Sequence, residues 1–310
     1  MALKIKHLLG LHGVSKDDIA EILDTGKGFQ EVLSREIKKV PTLRGKTIVN
    51  LFFENSTRTR ISFELAEKRL SGDTVNFSVA QSSVKKGETL KDTIRNIEAM
   101  KINMVVVRHS SPGVPKYLTE CTDAVIINAG DGSNEHPTQA LLDMLTMRDH
   151  FKRLEGLKVV LIGDILHSRV ARSNIWGLST MGAQVWACGP ETLLPQYRED
   201  FPIRATTDMK KALEGADVIM ALRIQLERRA GGFFPTINEY RELFGLTSER
   251  LKHVGKKDFL IMHPGPINRG VEITTEVADG PHSVILDQVT NGVAVRMAVL
   301  YLLGGGSENA

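Results

Sequence analysis

The chain has 310 residues, 42% of them hydrophobic and 25% charged, enough for two globular domains with separate cores. Its 40 basic and 37 acidic residues leave a net charge of +3, too slight to recruit nucleic acid or a membrane surface, so any anion binding must be local. Cys121 and Cys188 are the only cysteines; they offer neither a disulfide framework nor metal-ligand spacing, and with no apolar leader and no run of membrane-span length the expectation is a cytoplasmic protein.

From the N-terminus, Ser15-Lys16-Asp17-Asp18 caps a helix carrying Ile19, Ile22, Leu23 and Phe29 on one face. The run from Thr47 to Phe53 predicts a buried strand, and Ile61, Phe63, Leu65 and Leu70 belong to the helix after it. Between them stands Glu54-Asn55-Ser56-Thr57-Arg58-Thr59-Arg60. Arginines at a helix start repel the local field unless something anionic lies there. Hydroxyls, backbone donors and a guanidinium together suit a phosphate; the plainer reading, a capping serine with solvated arginines, does not need paired cations.

Alternation continues with a strand at 74–79, a polar loop at 80–88, a helix near 89–100 and a strand at 104–109. A short helix near 114–120 and a strand at 124–129 complete the half. This order predicts an α/β fold with a mainly parallel sheet flanked by helices and ligands beyond the carboxyl ends of the strands. Arg108 closes a strand there, where it either projects into the crevice or is solvated. The loop holding Ser82, Ser83 and Lys86 reads by its own chemistry as plain surface.

A glycine-rich turn from Asn128 leads to His136-Pro137-Thr138-Gln139, with Pro137 opening a helix that buries Leu141, Leu142 and Leu145. His136 at a helix N-terminus favours the neutral imidazole and is suited to polarise a carbonyl, or is simply a cap. A second alternating series starts at Leu157. Its first turn, Gly163 to Ser168, lacks the glycines of a dinucleotide site, and no Walker pattern occurs, so no cofactor and no metal are expected. Arg169 repeats the helix-start anomaly, and Arg223 and Gln225 follow a later strand; Arg228 and Arg229 carry no assigned role. His263-Pro264-Gly265-Pro266 can continue neither strand nor helix and presents carbonyls as a rigid turn or as acceptors for a substrate amine. An apolar closing helix over Val293–Leu303 ends the chain before a loose tail.

Taken in order, Ser-Thr-Arg-Thr-Arg, His-Pro-Thr-Gln, Arg-Ile-Gln and His-Pro-Gly-Pro resemble the transcarbamoylases over essentially the whole length. The resemblance implies a domain at 1–135, joined by the terminal helix 290–310, that binds carbamoyl phosphate, and a domain at 136–289 that binds L-aspartate. Ser56, Thr57, Arg58 and Thr59 would hold the phosphate; Thr59, Arg108 and His136 would polarise the carbamoyl oxygen; and Gln139 would take the carbamoyl amide. Arg169, Arg223 and Gln225 would clamp the carboxylates of aspartate, while the Pro264 and Gly265 carbonyls would orient its amine and the carbamoyl NH₂. The resemblance reverses the plain reading of the polar loop: Ser82 and Lys86 match residues donated to a neighbouring subunit's site, Lys86 meeting both substrates, which implies a homotrimer with shared active sites. Arg60 is left as a structural ion-pair partner.

Ornithine-using members read His-Cys-Leu-Pro where this chain has His263-Pro264-Gly265-Pro266, and two guanidiniums suit a dianion, so aspartate is the expected acceptor. Gly265 and Arg269 depart from the His-Pro-Leu-Pro-Arg common among aspartate enzymes. The implied reaction is direct attack of aspartate's amine on the carbamoyl carbon, an early step of pyrimidine biosynthesis, with domain closure around both substrates. Rival readings are a carbamoyltransferase for ornithine or another amine, and a non-catalytic anion-binding homologue. A regulatory chain or a dihydroorotase is the kind of further partner the resemblance admits, and such control would come from another chain.

Overall fold

The computed structural model describes residues 3–78, 87–196, 198–224 and 236–305. The chain forms two compact units, Met1–Leu145 with Thr290–Ala310, and Thr146–Val289. It passes from one to the other inside helix α5 (Pro137–Phe151) and inside helix α11 (Ile285–Leu303). This division rests on chain contacts, whereas the 135/136 border of the sequence reading is a division by substrate.

In the first unit, α1 (Lys16–Ser34) opens where the Ser15 hydroxyl accepts the Asp18 N–H. Then follow β1 (Thr47–Phe52), α2 (Thr57–Arg69), β2 (Asp73–Ser78), α3 (Leu90–Ala99), β3 (Met104–His109), α4 (Val114–Thr119) and β4 (Val125–Asp131). The four strands are parallel in the order β2-β1-β3-β4. Strands covered on both faces must be apolar on both: Ile48, Met104, Val106 and Ile127 are buried on one face, and Val49, Leu51, Val105, Val107 and Ile126 on the other. Ile94, Ile97 and Leu118 from the helices pack against them, each fully buried side chain contributing about 1.5–3 kcal/mol. The order reverses direction between β1 and β3, and such a switch point opens a crevice at the carboxyl ends of the strands. Phe52 stands opposite Arg108 there, so the turn into α2 and the end of β3 share one edge.

The N-terminal segment lies along β4, with the Leu8 N–H donating to Ile126 O at 3.0 Å and the Asn128 N–H to Leu8 O at 2.9 Å. In α2 Phe63 is buried, as is Leu70 at its C-cap, but Ile61 and Leu65 are exposed, as is Val75 on edge strand β2.

The second unit holds β5 (Lys158–Ile162), α6 (Arg169–Thr180), β6 (Gln184–Cys188), β7 (Arg204–Thr206), α7 (Met209–Leu213), β8 (Val218–Ala221), α8 (Ile237–Phe244), α9 (Ser248–Leu251), β9 (Leu260–Met262) and α10 (Thr275–Ala278). Its sheet is also parallel, β7-β6-β5-β8-β9, and its switch point falls between β5 and β8. Gly163 follows β5 at φ +130°, where an added Cβ would stand 3.1 Å from the Tyr240 hydroxyl and 3.3 Å from Leu222 Cβ. Only glycine lets the chain leave β5 this close to the end of β8. Helix α11 begins at Ile285 rather than Val293 because its opening turns are not apolar-periodic, with Leu286 and Val289 exposed. Among the described residues no helix is long and apolar enough to cross a membrane.

Candidate active site

In the first unit, Ser56 occupies the N-cap of α2, yet its hydroxyl makes no capping hydrogen bond, and no acidic residue stands in the first turn. Elsewhere Ser15, Thr89, Ser168, Asp208 and Thr236 each accept an N–H of the helix they open. Ser56 is therefore not serving as an ordinary cap, and the positive end of α2 carries no side-chain oxygen from it. Thr57 and Arg58 are exposed, Ser56 is half-buried and Thr59 is buried one turn inside. This places three hydroxyls, a guanidinium and helix-start N–H groups at the β1/β3 switch point.

Across that point Arg108 is held at both sides. Its Nε lies 3.3 Å from Glu54 Oε2, and an Nη1–H donates to Ala129 O at 3.0 Å. The Phe53 N–H donates to Arg108 O at 2.8 Å, tying the turn before α2 to β3. A guanidinium anchored this way is oriented before any ligand arrives, which lowers the ordering cost of binding.

His136 is buried and precedes α5; its carbonyl accepts the Gln139 N–H at 3.0 Å. A buried polar network fixes the turn ahead of it. Asn128 Nδ2 donates to Asp131 Oδ1 at 2.7 Å and to Leu9 O at 2.8 Å, and Asp131 also accepts the Glu135 and Gly113 N–H groups. The Glu135 carboxylate takes the Leu11 N–H at 2.6 Å and the His12 N–H at 3.2 Å. Gly10 lies so close that an added Cβ would sit 2.3 Å from Glu135 Oε1.

In the second unit Arg169 is the first residue of α6, behind an N-cap in which Ser168 Oγ accepts the Ala171 N–H at 3.1 Å. It is only 6% exposed, which sets it apart from a solvated surface arginine. Arg223 lies just past β8 between two anchors: the Leu222 N–H donates to Ile162 O at 2.8 Å, and Asn268 Nδ2 donates to Ile224 O at 3.1 Å. Arg169 thus opens the helix that follows β5 and Arg223 follows β8, the two strands that flank the switch point.

Beside β8, strand β9 ends at Met262 and gives way to His263-Pro264-Gly265-Pro266. His263 Nδ1 accepts the Gly265 N–H at 2.8 Å, so its proton sits on Nε2, 3.1 Å from Glu272 Oε1. The same Glu272 oxygen accepts the Asn268 N–H at 2.6 Å, and the His263 N–H donates to Gln288 Oε1 at 3.0 Å. One buried carboxylate therefore pins both ends of the turn. Gly265 adopts φ 66°, a backbone region that favours glycine. Among the described residues no group donates a hydrogen bond to the Pro264 or Gly265 carbonyl.

Ser82, Ser83, Lys86, Gln225, Arg228 and Arg229 lie outside the described residues. The supporting groups Glu54, Asn128, Asp131, Glu135, Asp143 and Glu272 received no role from the sequence. Asp143 alone had a legible signal, standing four residues after Gln139 on one helix.

Two parallel sheets, each presenting arginines at its switch point, define a class of two-unit α/β proteins built to handle anions in both units. The family described as "Aspartate/ornithine carbamoyltransferase, carbamoyl-P binding domain" matches residues 6–149, and the "Asp/Orn binding domain" of the same enzymes matches residues 155–303. The chain belongs to this aspartate/ornithine carbamoyltransferase family. It is 62% identical over 301 residues to the aspartate carbamoyltransferase catalytic subunit of Gemmatimonas aurantiaca, covering 97% of this chain and 94% of that one. The corresponding subunit of Carboxydothermus hydrogenoformans is 56% identical over 306 residues, 99% and 98% covered. Among solved structures, aspartate transcarbamoylase from Trypanosoma cruzi in complex with carbamoyl aspartate and phosphate superposes with TM-score 0.87 at 30% identity, over 96% of each chain. Ornithine carbamoyltransferase from Pyrococcus furiosus superposes with TM-score 0.88 at 29% identity, over 99% of each chain.

Proposed function

We propose that this chain transfers the carbamoyl group of carbamoyl phosphate to the amine of L-aspartate, giving N-carbamoyl-L-aspartate and phosphate. The observation that carries this reading is the half-site in each unit. Arg58 and Arg108 flank the switch point of the first sheet, and the buried Arg169 with Arg223 flanks that of the second. A phosphate and a dicarboxylate are the anions such pairs fit.

The first unit, with α11, takes carbamoyl phosphate. Ser56, Thr57, Arg58 and Thr59 bind the phosphate; Thr59, Arg108 and His136 stabilise the carbamoyl oxygen as it becomes an oxyanion; and Gln139 accepts from the carbamoyl NH₂. The second unit takes aspartate, its carboxylates on Arg169, Arg223 and Gln225. The Pro264 and Gly265 carbonyls accept from the attacking amine, and their lack of other donors among the described residues supports that role. The neutral amine forms the N–C bond, the tetrahedral intermediate collapses, and the C–O bond to phosphate breaks. The departing phosphate receives the amine proton. Catalysis rests on positioning and fixed charge. Ornithine in place of aspartate would set its side-chain cation among the arginines.

The enzyme acts as a homotrimer in the cytoplasm, with Ser82 and Lys86 of one subunit entering the site of the next. Ile61, Leu65 and Val75, exposed on α2 and edge strand β2, supply apolar surface for subunit contact, and the two buried cysteines unpaired by any disulfide suit a reducing compartment. The test is to incubate the protein with carbamoyl phosphate and L-aspartate and follow phosphate and N-carbamoyl-aspartate together. Equimolar release is expected; no release in the presence of both substrates refutes the reading. For shared sites, Lys86→Ala chains mixed with Arg58→Ala chains should regain activity, and verified mixed trimers that stay inactive refute the sharing.

A further inference from the structure

Helix α5 carries Gln139 and, one turn on, Asp143, which is wholly buried. The Gln139 side chain lies against it, with Nε2 and Asp143 Oδ1 3.0 Å apart. A carboxylate has only acceptors to offer, so the amide end facing it must be the nitrogen, whichever way the amide is drawn. The carbonyl oxygen is then the end of Gln139 turned away from Asp143.

The charge of Asp143 acts on Arg296 of α11, which is buried at 4% exposure. The guanidinium donates to Ser62 Oγ of α2 at 3.0 Å and to Gly292 O at 2.9 Å, and it lies over the Phe63 ring at 5.1 Å. Burial draws its pKa down to about 10 while the Asp143 charge opposes that, so it remains a cation at neutral pH. In the first unit Arg296 is thus tied to α2 and Asp143 to Gln139, with an electrostatic attraction between the two.

We infer that Asp143 is a positioning residue that locks Gln139 as a hydrogen-bond acceptor and thereby makes the first unit select a carbamoyl phosphate over an acyl phosphate. This rests on the carbamoyl-transfer reading above. The two ligands share a phosphate and a carbonyl oxygen and differ where one has an NH₂ donor and the other a methyl. A fixed acceptor rewards the donor, and it is left without a partner by the methyl. With Asn at 143, the neighbour both donates and accepts, and Gln139 is free to turn its amide over.

The experiment measures dissociation constants of carbamoyl phosphate and acetyl phosphate on the wild-type protein and on Asp143→Asn. The expected result is that the preference for carbamoyl phosphate falls about tenfold, the equivalent of one hydrogen bond, through loss of carbamoyl phosphate affinity. An unchanged ratio overturns the inference, whether or not both affinities fall, because mere structural damage weakens both ligands alike. Should Asp143→Asn fail to fold around an uncompensated Arg296, the double variant Asp143→Asn/Arg296→Met removes both charges and is expected to lower the same ratio. Wild-type protein that transfers the carbamoyl group while Asp143→Asn keeps the full preference refutes this inference alone; wild-type protein without transfer refutes the reading beneath it as well.

Discussion

Glu67 gives the structure's clearest pH dependence. It lies on the inner face of α2, wholly buried, with Asn50 Nδ2 donating to its Oε2 at 3.0 Å. Desolvation raises its pKa from 4.5 to about 7, and the charge of Glu64 adds to the rise, while the Asn50 hydrogen bond and Lys68 oppose it. The facing groups are thus Asn50 and Thr74 from the strands, and Glu64 and Lys68 from its own helix. A carboxyl whose folded pKa is raised stabilises the fold most below its unfolded value, and that contribution is lost as pH rises through the folded one. The interval from 4.5 to about 7 corresponds to about 3 kcal/mol at ~1.4 kcal/mol per pH unit. Glu67→Gln keeps the acceptor for Asn50 and removes the titration. Urea unfolding at a fixed protein concentration, which matters for an oligomer, should show the variant close to wild type at pH 4.5 and more stable by up to about 3 kcal/mol at pH 8. A stability difference independent of pH across that range would falsify the assignment.

Three further outcomes concern the site. Arg58→Ala, at an exposed helix start, should keep the circular dichroism of the wild type and lose on the order of 3 kcal/mol or more in kcat/KM; turnover near wild type removes Arg58 from the phosphate site. Arg169→Met should raise the KM for aspartate by roughly a hundredfold, the loss of a charge-assisted bond, and leave carbamoyl phosphate affinity unchanged in a binding titration. An equal loss for both substrates contradicts the assignment of Arg169 to the second unit's ligand. Glu272→Gln keeps an acceptor but weakens the hold on His263 and Asn268, so kcat/KM for aspartate should fall about tenfold with carbamoyl phosphate binding intact; unaltered aspartate kinetics show that the 263–268 turn holds its shape without that charge.

Much of the fold could be read from alternation alone. Strands such as Thr47–Phe52 and Met104–His109 carry apolar residues at successive positions, Ile48 with Val49 and Met104 through Val107, the mark of parallel strands buried on both faces, and their order implies the sheet and its ligand edge. The arginines at 58 and 169 were legible because a cation at a helix start contradicts local electrostatics, and local contradictions mark functional sites. Helices α8 to α10 were not legible: they run to 8, 4 and 4 residues, too short to establish a period. The supporting network was hidden for a different reason. Glu135 meets the N–H groups of Leu11 and His12, more than a hundred positions back, and Arg296 meets Ser62 across 234; no local pattern records such pairings. The exposed Ile61 and Leu65 show the converse, since helical spacing places them on α2 without saying that no core covers them.

We propose that two guanidinium half-sites make this enzyme select an anionic carbamoyl acceptor. The most direct test is the ratio of kcat/KM for L-aspartate to that for L-ornithine, each at saturating carbamoyl phosphate, with the carbamoylated product identified. N-carbamoyl-L-aspartate is expected, with a ratio on the order of a thousand or more, because ornithine brings a like charge to a buried cation. Comparable kcat/KM values for the two amines, or product from ornithine alone, would exclude that selectivity.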